Sequence, residues 1–177
     1  MVYKFASTSK ISFPGSGIAS IAASTANLAD IRKQMTIQTI GHDKVNQLRH
    51  ARFFGDIHGI VEHMKKHADI LRPKFEAVLK ALNTLEGTGI ASWTKPKGGY
   101  FISLDVMEGC AKRVEQLCSN AGMILTPAGA TYPYGIAPKN SNLRIAPSFP
   151  SVSDIEKASL VLCTAVKYAA LEKLLAQ

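Results

Sequence analysis

A chain of 177 residues with 46% hydrophobic and 19% charged residues can build one ordinary domain or two small ones, which excludes an intrinsically disordered protein. The formal net charge of +8 is scattered in pairs such as Arg32-Lys33 and Lys65-Lys66, not gathered in a basic run. An anionic small molecule therefore explains it as well as nucleic acid would, and nucleic acid is not expected as a partner. No apolar run nears membrane-spanning length, and Met1-Val-Tyr-Lys4 has no signal-peptide pattern. Cys110, Cys118 and Cys163 show no CxxC spacing and read as buried thiols of a reducing compartment, the cytoplasm.

In chain order, a short strand over Val2 to Ala6 breaks into Ser7-Thr-Ser-Lys10, and Phe13-Pro-Gly15 signals a turn into a second strand, Ile18 to Ala23. Ser24 or Thr25 caps a helix running through Leu28, Ile31 and Met35 toward Gln38, stopped by Gly41. Asp43 opens a second helix, Lys44 to about Phe54, ended by Gly55. Asp56 then caps the longest helical pattern, Ile57 to about Leu85, with an apolar stripe at Ile57, Val61, Met64, Ala68, Leu71, Phe75, Val78, Leu82 and Leu85. Pro73 lies inside it, so a bend is expected, and a long bent helix reads as a connector between domains.

Beyond the connector, strands are predicted over Ile90 to Trp93 and Tyr100 to Asp105, then a helix from Glu108 to Ala121 and a short strand from Met123 to Thr126. The segment Ala128 to Asn142, with Gly129, Pro133, Gly135 and Pro138, reads as a functional loop. Leu143 to Ala146 is strand-like, and Ser153-Asp-Ile-Glu156 has the spacing of a capping box opening the last helix. Strands alternating with helices give an α/β or α+β layer domain from about residue 88 onward.

Two features bear on chemistry. Lys10 stands at a strand end among Ser7, Thr8, Ser9 and Ser12, an arrangement suited to Schiff-base formation with a phosphorylated aldehyde cofactor; a solvated loop lysine is the plain alternative. Arg144 stands between an irregular loop and two prolines, where it either grips an anionic ligand or makes an ordinary ion pair. His63 and His67 lie one helical turn apart, but no Glu follows His63 and two lysines separate them, so a solvated helix face is favoured over a metal site. The cysteines have no base partner at a telling spacing.

Four segments together carry a resemblance. Ser7-Thr-Ser-Lys10 with Phe13-Pro-Gly15, Pro96-Lys-Gly-Gly-Tyr-Phe101, Ile124-Leu-Thr-Pro-Ala-Gly129 and Asn142-Leu-Arg-Ile-Ala-Pro-Ser148 resemble, in order and spacing, segments of fold-type I pyridoxal-phosphate aminotransferases. The wording around Lys10 and the segment Val45 to Gly55 are similar to the aspartate-aminotransferase-like subgroup related to the MocR regulators. The resemblance implies an α/β chain: residues 1–55 as the end of the large cofactor-binding domain, 56–86 as a long bent connecting helix, and 87–177 as a small α+β C-terminal domain. It implies pyridoxal 5'-phosphate as cofactor, Lys10 as the Schiff-base lysine, Ser7 and Ser9 as phosphate ligands, and Arg144 as the ligand of the substrate α-carboxylate.

Amino-acid and 2-oxo-acid substrates follow, with an aspartate-like preference. The family's phosphate arginine, seven or eight residues after the lysine, is replaced here by Gly17 or Ile18, so hydroxyls and amides near Gly15-Ser-Gly17 are expected to serve instead. Since family members extend far upstream of the lysine, the chain is expected to be a C-terminal part, working as a homodimer or with an N-terminal half. A non-catalytic ligand-sensing portion of a regulator, or a truncated remnant, is the competing class.

Overall fold

Strand β1 (Lys4–Ser7) pairs antiparallel with β2 (Ala19–Ala22), in a register running from Lys4↔Ala22 to Ser7↔Ala19. These strands open a computed structural model that describes residues 2–176. The chain divides into two units, Met1–His67 and Ala68–Gln177, with the division inside one long helix.

In the first unit the two-stranded ladder is largely exposed, Phe5 at 77%. Helix α1 (Thr25–Gln38) starts where the Ser24 hydroxyl accepts the Asn27 N–H at 3.4 Å. Helix α2 (Lys44–Phe54) starts where Asp43 Oδ1 accepts the Asn46 N–H at 2.9 Å, and it stops at Gly55, whose φ of 68° a side chain would resist. Asp56 Oδ1 accepts the Gly59 N–H at 3.1 Å and so caps α3 (Ile57–Leu82). All three starts fall where hydroxyl and carboxylate caps predict them. Helix α3 continues as one element through Pro73, and a single 3-10 turn, Asn83–Leu85, follows it. Its apolar stripe is not uniform: Ile57, Val61 and Met64 are exposed, while Val78 and Leu82 are fully buried.

The second unit is built on a three-stranded antiparallel sheet in the order β3-β4-β5: β3 (Ala91–Trp93), β4 (Ile102–Val106) and β5 (Asn142–Ile145). Alternation along β4 sends Ile102, Leu104 and Val106 into the core and leaves Ser103 and Asp105 on the other face. Helices α4 (Ala111–Asn120) and α5 (Val152–Leu175) contribute Val114, Cys118, Leu162 and Val166 to the same core, which Leu82 and Leu85 complete. Arg113 clips the two helices together, Nε donating to Glu172 Oε2 and a terminal nitrogen to Oε1, both at 2.7 Å.

Three details of the second unit depart from the sequence reading. Met123 to Thr126 forms no strand: the Met123 N–H is spent on the Cys118 carbonyl at 2.9 Å, closing the end of α4, and the sheet comprises β3, β4 and β5. Helix α4 starts at Ala111 rather than Glu108, because Gly109 adopts φ 83° and its N–H bonds the Lys139 carbonyl at 2.8 Å. The last helix is capped by Ser151, not Ser153; the Ser151 hydroxyl accepts the Asp154 N–H at 3.1 Å and bonds the Asp154 carboxylate at 2.7 Å.

Candidate active site

The segment from Thr8 to Ile18 leaves β1 and returns to β2, and Lys10 stands in its first turn. The Thr8 carbonyl accepts the N–H groups of Ile11 and Ser12, each at 2.8 Å, so residues 8–12 wind through one helical turn. Thr8 closes the segment across its mouth: its N–H donates to the Ile18 carbonyl at 2.8 Å and its hydroxyl accepts the Ile18 N–H at 2.9 Å. Gly17 permits a close approach, since a Cβ there would lie 3.0 Å from the Ser9 Cα. Ser7, Ser9 and Lys10 are all exposed. The Ser7 hydroxyl donates to the Ser9 hydroxyl at 3.0 Å and accepts the Ser9 N–H at 3.1 Å.

An exposed lysine close in sequence to two exposed hydroxyl residues fits a phosphorylated aldehyde in chemical type. The amides of Gly15-Ser-Gly17 fit an anion nest less well than the sequence suggests, because the Ser16 N–H is already bonded to the Phe13 carbonyl at 3.1 Å.

Beneath this segment lies a polar group that the sequence reading passed over. His50 on α2 is only 4% exposed, with Nε2 2.7 Å from the Ser12 hydroxyl and 3.4 Å from the Thr8 hydroxyl. Its Nδ1 lies 2.8 Å from the Asn46 carbonyl. Asn46, one helical turn earlier, donates from Nδ2 to the Ser16 carbonyl at 2.7 Å, while its Oδ1 is buried with no partner among the described residues. The Phe13 ring meets His50 and Phe53 edge-on at 5.2 and 4.9 Å. A helix-face His and Asn spaced i, i+4 was the available signal, though nothing local to α2 says what they face.

On the same unit, His63 packs edge-on against Phe53 and Phe54, 5.4 Å from each, and its ring lies 4.5 Å from that of His67. Burial holds the His63 imidazole below its ordinary value, and the charges of His67 and Lys66 push the same way; a hydrogen bond with the Ile11 backbone opposes them. No cluster of three or more metal-ligating side chains occurs among the described residues.

Arg144 belongs to the second unit. It lies on β5 opposite Ser103, with its guanidinium carbon 4.6 Å from the centre of the Phe101 ring. Its Nε is buried and has no hydrogen-bond partner among the described residues. Arg144 helps to line a cavity of about 280 Å³ together with Ile124, Leu125, Thr126 and Pro147. A buried cationic donor without a partner carries a desolvation cost that a carboxylate in that cavity would relieve. Next to Arg144 on the sheet, Asn142 donates to the Ser103 hydroxyl at 2.9 Å and to Asp105 at 3.0 Å, and it accepts the Thr131 hydroxyl at 3.0 Å. That network ties the irregular loop before β5 to the sheet. The three cysteines are free and buried, and burial pushes the Cys118 thiol up to about 11, which suits packing rather than nucleophilic work.

Known proteins show which family the chain is similar to. The family model described as aspartate amino-transferase matches residues 1–177. The chain is 49% identical over 172 residues to an aminotransferase of Mycolicibacterium smegmatis, covering 97% of this chain and 40% of that protein. It is 47% identical over 171 residues to an aspartate aminotransferase of Corynebacterium glutamicum, covering 96% of this chain and 40% of that protein. Among solved structures, an aminotransferase from Corynebacterium diphtheriae superposes with a TM-score of 0.93 at 47% identity, covering 96% of this chain and 42% of that one. An α-aminoadipate aminotransferase from Thermus thermophilus, complexed with N-(5'-phosphopyridoxyl)-L-leucine, shares the fold with a TM-score of 0.78 at 20% identity, over 96% of this chain and 42% of that one. The chain spans about two-fifths of the length of the curated relatives it matches.

Proposed function

Since the chain belongs to the aspartate aminotransferase family, we propose that it carries the cofactor lysine and the substrate-carboxylate arginine of a pyridoxal-phosphate-dependent aminotransferase. The reaction is transfer of an amino group from an aspartate-like amino acid to a 2-oxo acid. The observation that carries this reading is the Lys10 turn: an exposed lysine on a hydrogen-bonded turn, one and three residues after the exposed Ser9 and Ser7, whose hydroxyls are paired.

Pyridoxal 5'-phosphate, when bound, supplies an aldehyde for the amine and a ring that takes up electrons. Lys10 would hold the cofactor through its amine, and Nζ, when free, would hold and move a proton beside the substrate. Ser7 and Ser9 would hydrogen-bond its phosphate. Arg144 holds the α-carboxylate with its planar fork, and its buried, unpartnered Nε supports that role. On this reading residues 1–55 end the large cofactor-binding domain, 56–86 connect, and 87–177 form the small α+β domain. A second copy of the chain, or a preceding N-terminal half, supplies the remaining cofactor contacts. The free, buried thiols of Cys110, Cys118 and Cys163 suit work in a reducing compartment such as the cytoplasm.

The test is incubation of the chain with pyridoxal phosphate, reduction with borohydride and peptide mapping. The reading expects the pyridoxyl group on the peptide containing Lys10. Label spread over other lysines, or absent from a folded protein, overturns it.

A further inference from the structure

We infer that His50 and Asn46 of α2 are positioning residues for Lys10, clamping both limbs of the segment that carries it. The inference deepens the proposed function, since it rests on Lys10 being the reactive lysine, but the clamp itself stands on geometry. Thr8 and Ser12 flank Lys10 two residues away on either side, and both hydroxyls converge on one imidazole nitrogen. The 2.7 Å contact from Ser12 is a strong hydrogen bond, whereas the 3.4 Å contact from Thr8 is weak, so Ser12 is the main attachment. The returning limb is held at Ser16, whose carbonyl accepts Asn46 Nδ2 at 2.7 Å. Asn46 and His50 are four residues apart on one helix, so they project from the same face and grip the outgoing and returning limbs together.

The two clamp residues are also linked to each other. His50 Nδ1 faces a carbonyl, the Asn46 oxygen, which can only accept; Nδ1 therefore carries a hydrogen. In the neutral ring this leaves Nε2 as the acceptor for the Ser12 hydroxyl. In the protonated ring Nε2 donates to Ser12, whose own hydrogen turns to the Thr8 carbonyl at 3.1 Å or the Thr8 hydroxyl at 3.0 Å. Either way the bond survives and the turn keeps its orientation. Burial removes competition from water, since Ser12 is 7% and His50 4% exposed. Lys10 itself stays exposed, so the clamp fixes the backbone beneath the amine without covering it. A reactive amine gains rate from being held in place, and the long side chain leaves the backbone as the part the fold can hold.

The test uses the full chain in three variants: His50→Phe keeps ring bulk without nitrogens, His50→Gln keeps a polar group within reach of Ser12, and Ser12→Ala removes one hydroxyl. Amide hydrogen exchange is read at Ile11, Ser12 and Ile18 without cofactor, and the rate of borohydride-trapped pyridoxal phosphate on Lys10 is read separately. His50→Phe and Ser12→Ala should each speed exchange at those amides by about tenfold, the effect of losing one buried hydrogen bond, with α1 amides unchanged. Lys10 labelling should slow in the same variants, and His50→Gln should recover most of both effects.

If His50→Phe does not fold, Ser12→Ala decides by the same two readings. Unchanged exchange at Ile11, Ser12 and Ile18 in the folded variants overturns the clamp, as does identical behaviour of His50→Phe and His50→Gln. Absence of Lys10 label in the unsubstituted chain overturns the cofactor reading instead, and hydrogen exchange then decides the clamp by itself.

Discussion

Gly129 and Gly135 lie in the loop that precedes Arg144, and substituting each with alanine separates two physical costs. Both adopt left-handed backbone, φ 93° at Gly129 and 71° at Gly135, which an L side chain resists. That conformational cost is about 1 kcal/mol for alanine. The surroundings differ. A Cβ on Gly135 meets nothing within 4 Å, whereas a Cβ on Gly129 would lie 2.5 Å from the Gly135 carbonyl oxygen, closer than van der Waals contact allows. The obstructing atom is backbone, and the loop that owns it is tied to the sheet through the Thr131–Asn142 hydrogen bond, so relief requires breaking or shifting that tie. Gly135→Ala should therefore destabilise the second unit by about 1 kcal/mol, and Gly129→Ala by about 2–4 kcal/mol. The single tryptophan, Trp93, lies on β3 of this unit and reports urea unfolding by fluorescence. The midpoint should fall further for Gly129→Ala, with the slope unchanged. Equal midpoints for the two variants, or a larger loss at Gly135, would refute the steric argument.

Arg144→Lys keeps the charge but loses the planar fork, so affinity for an amino-acid carboxylate should fall by about 1.5–3 kcal/mol; an unchanged dissociation constant by calorimetry contradicts the carboxylate role. His63 is held below its ordinary 6.5 by burial, then by His67 and Lys66. A histidine lowered in the folded state stabilises above its unfolded value and loses that contribution as pH falls toward the folded one, because the unfolded chain then binds more protons. Proton NMR of the His63 ring should give a midpoint below 6.5, and a midpoint at or above that value removes the basis for this pH dependence.

What could be read from sequence is what local chemistry determines. Ser24, Asp43 and Asp56 mark helix starts because their side chains bond amides three residues on, and Gly55 marks an end because of its own φ. The misread elements turn on distant partners or on competition between neighbours. Met123 to Thr126 has the composition of a strand, but a strand exists only when another pairs with it, and the Met123 amide is used to end α4 instead. Ser151 and Ser153 both have an acidic residue three positions on, and the pattern alone does not say which begins the helix. Lys10 and Arg144 are singled out as candidates by their motifs. The His50–Ser12 bond joins residues 38 apart, and the orphan Nε of Arg144 exists only because folding buries it; neither leaves a mark in the pattern of residues.

The most direct measurement of the central claim compares the chain with its Lys10→Arg variant after pyridoxal phosphate loading and borohydride reduction, by intact-protein mass. The account predicts an adduct in the first and its loss in the second, with hydrogen exchange in the Thr8 to Ile18 segment unaltered. An equal adduct yield in both proteins would contradict it.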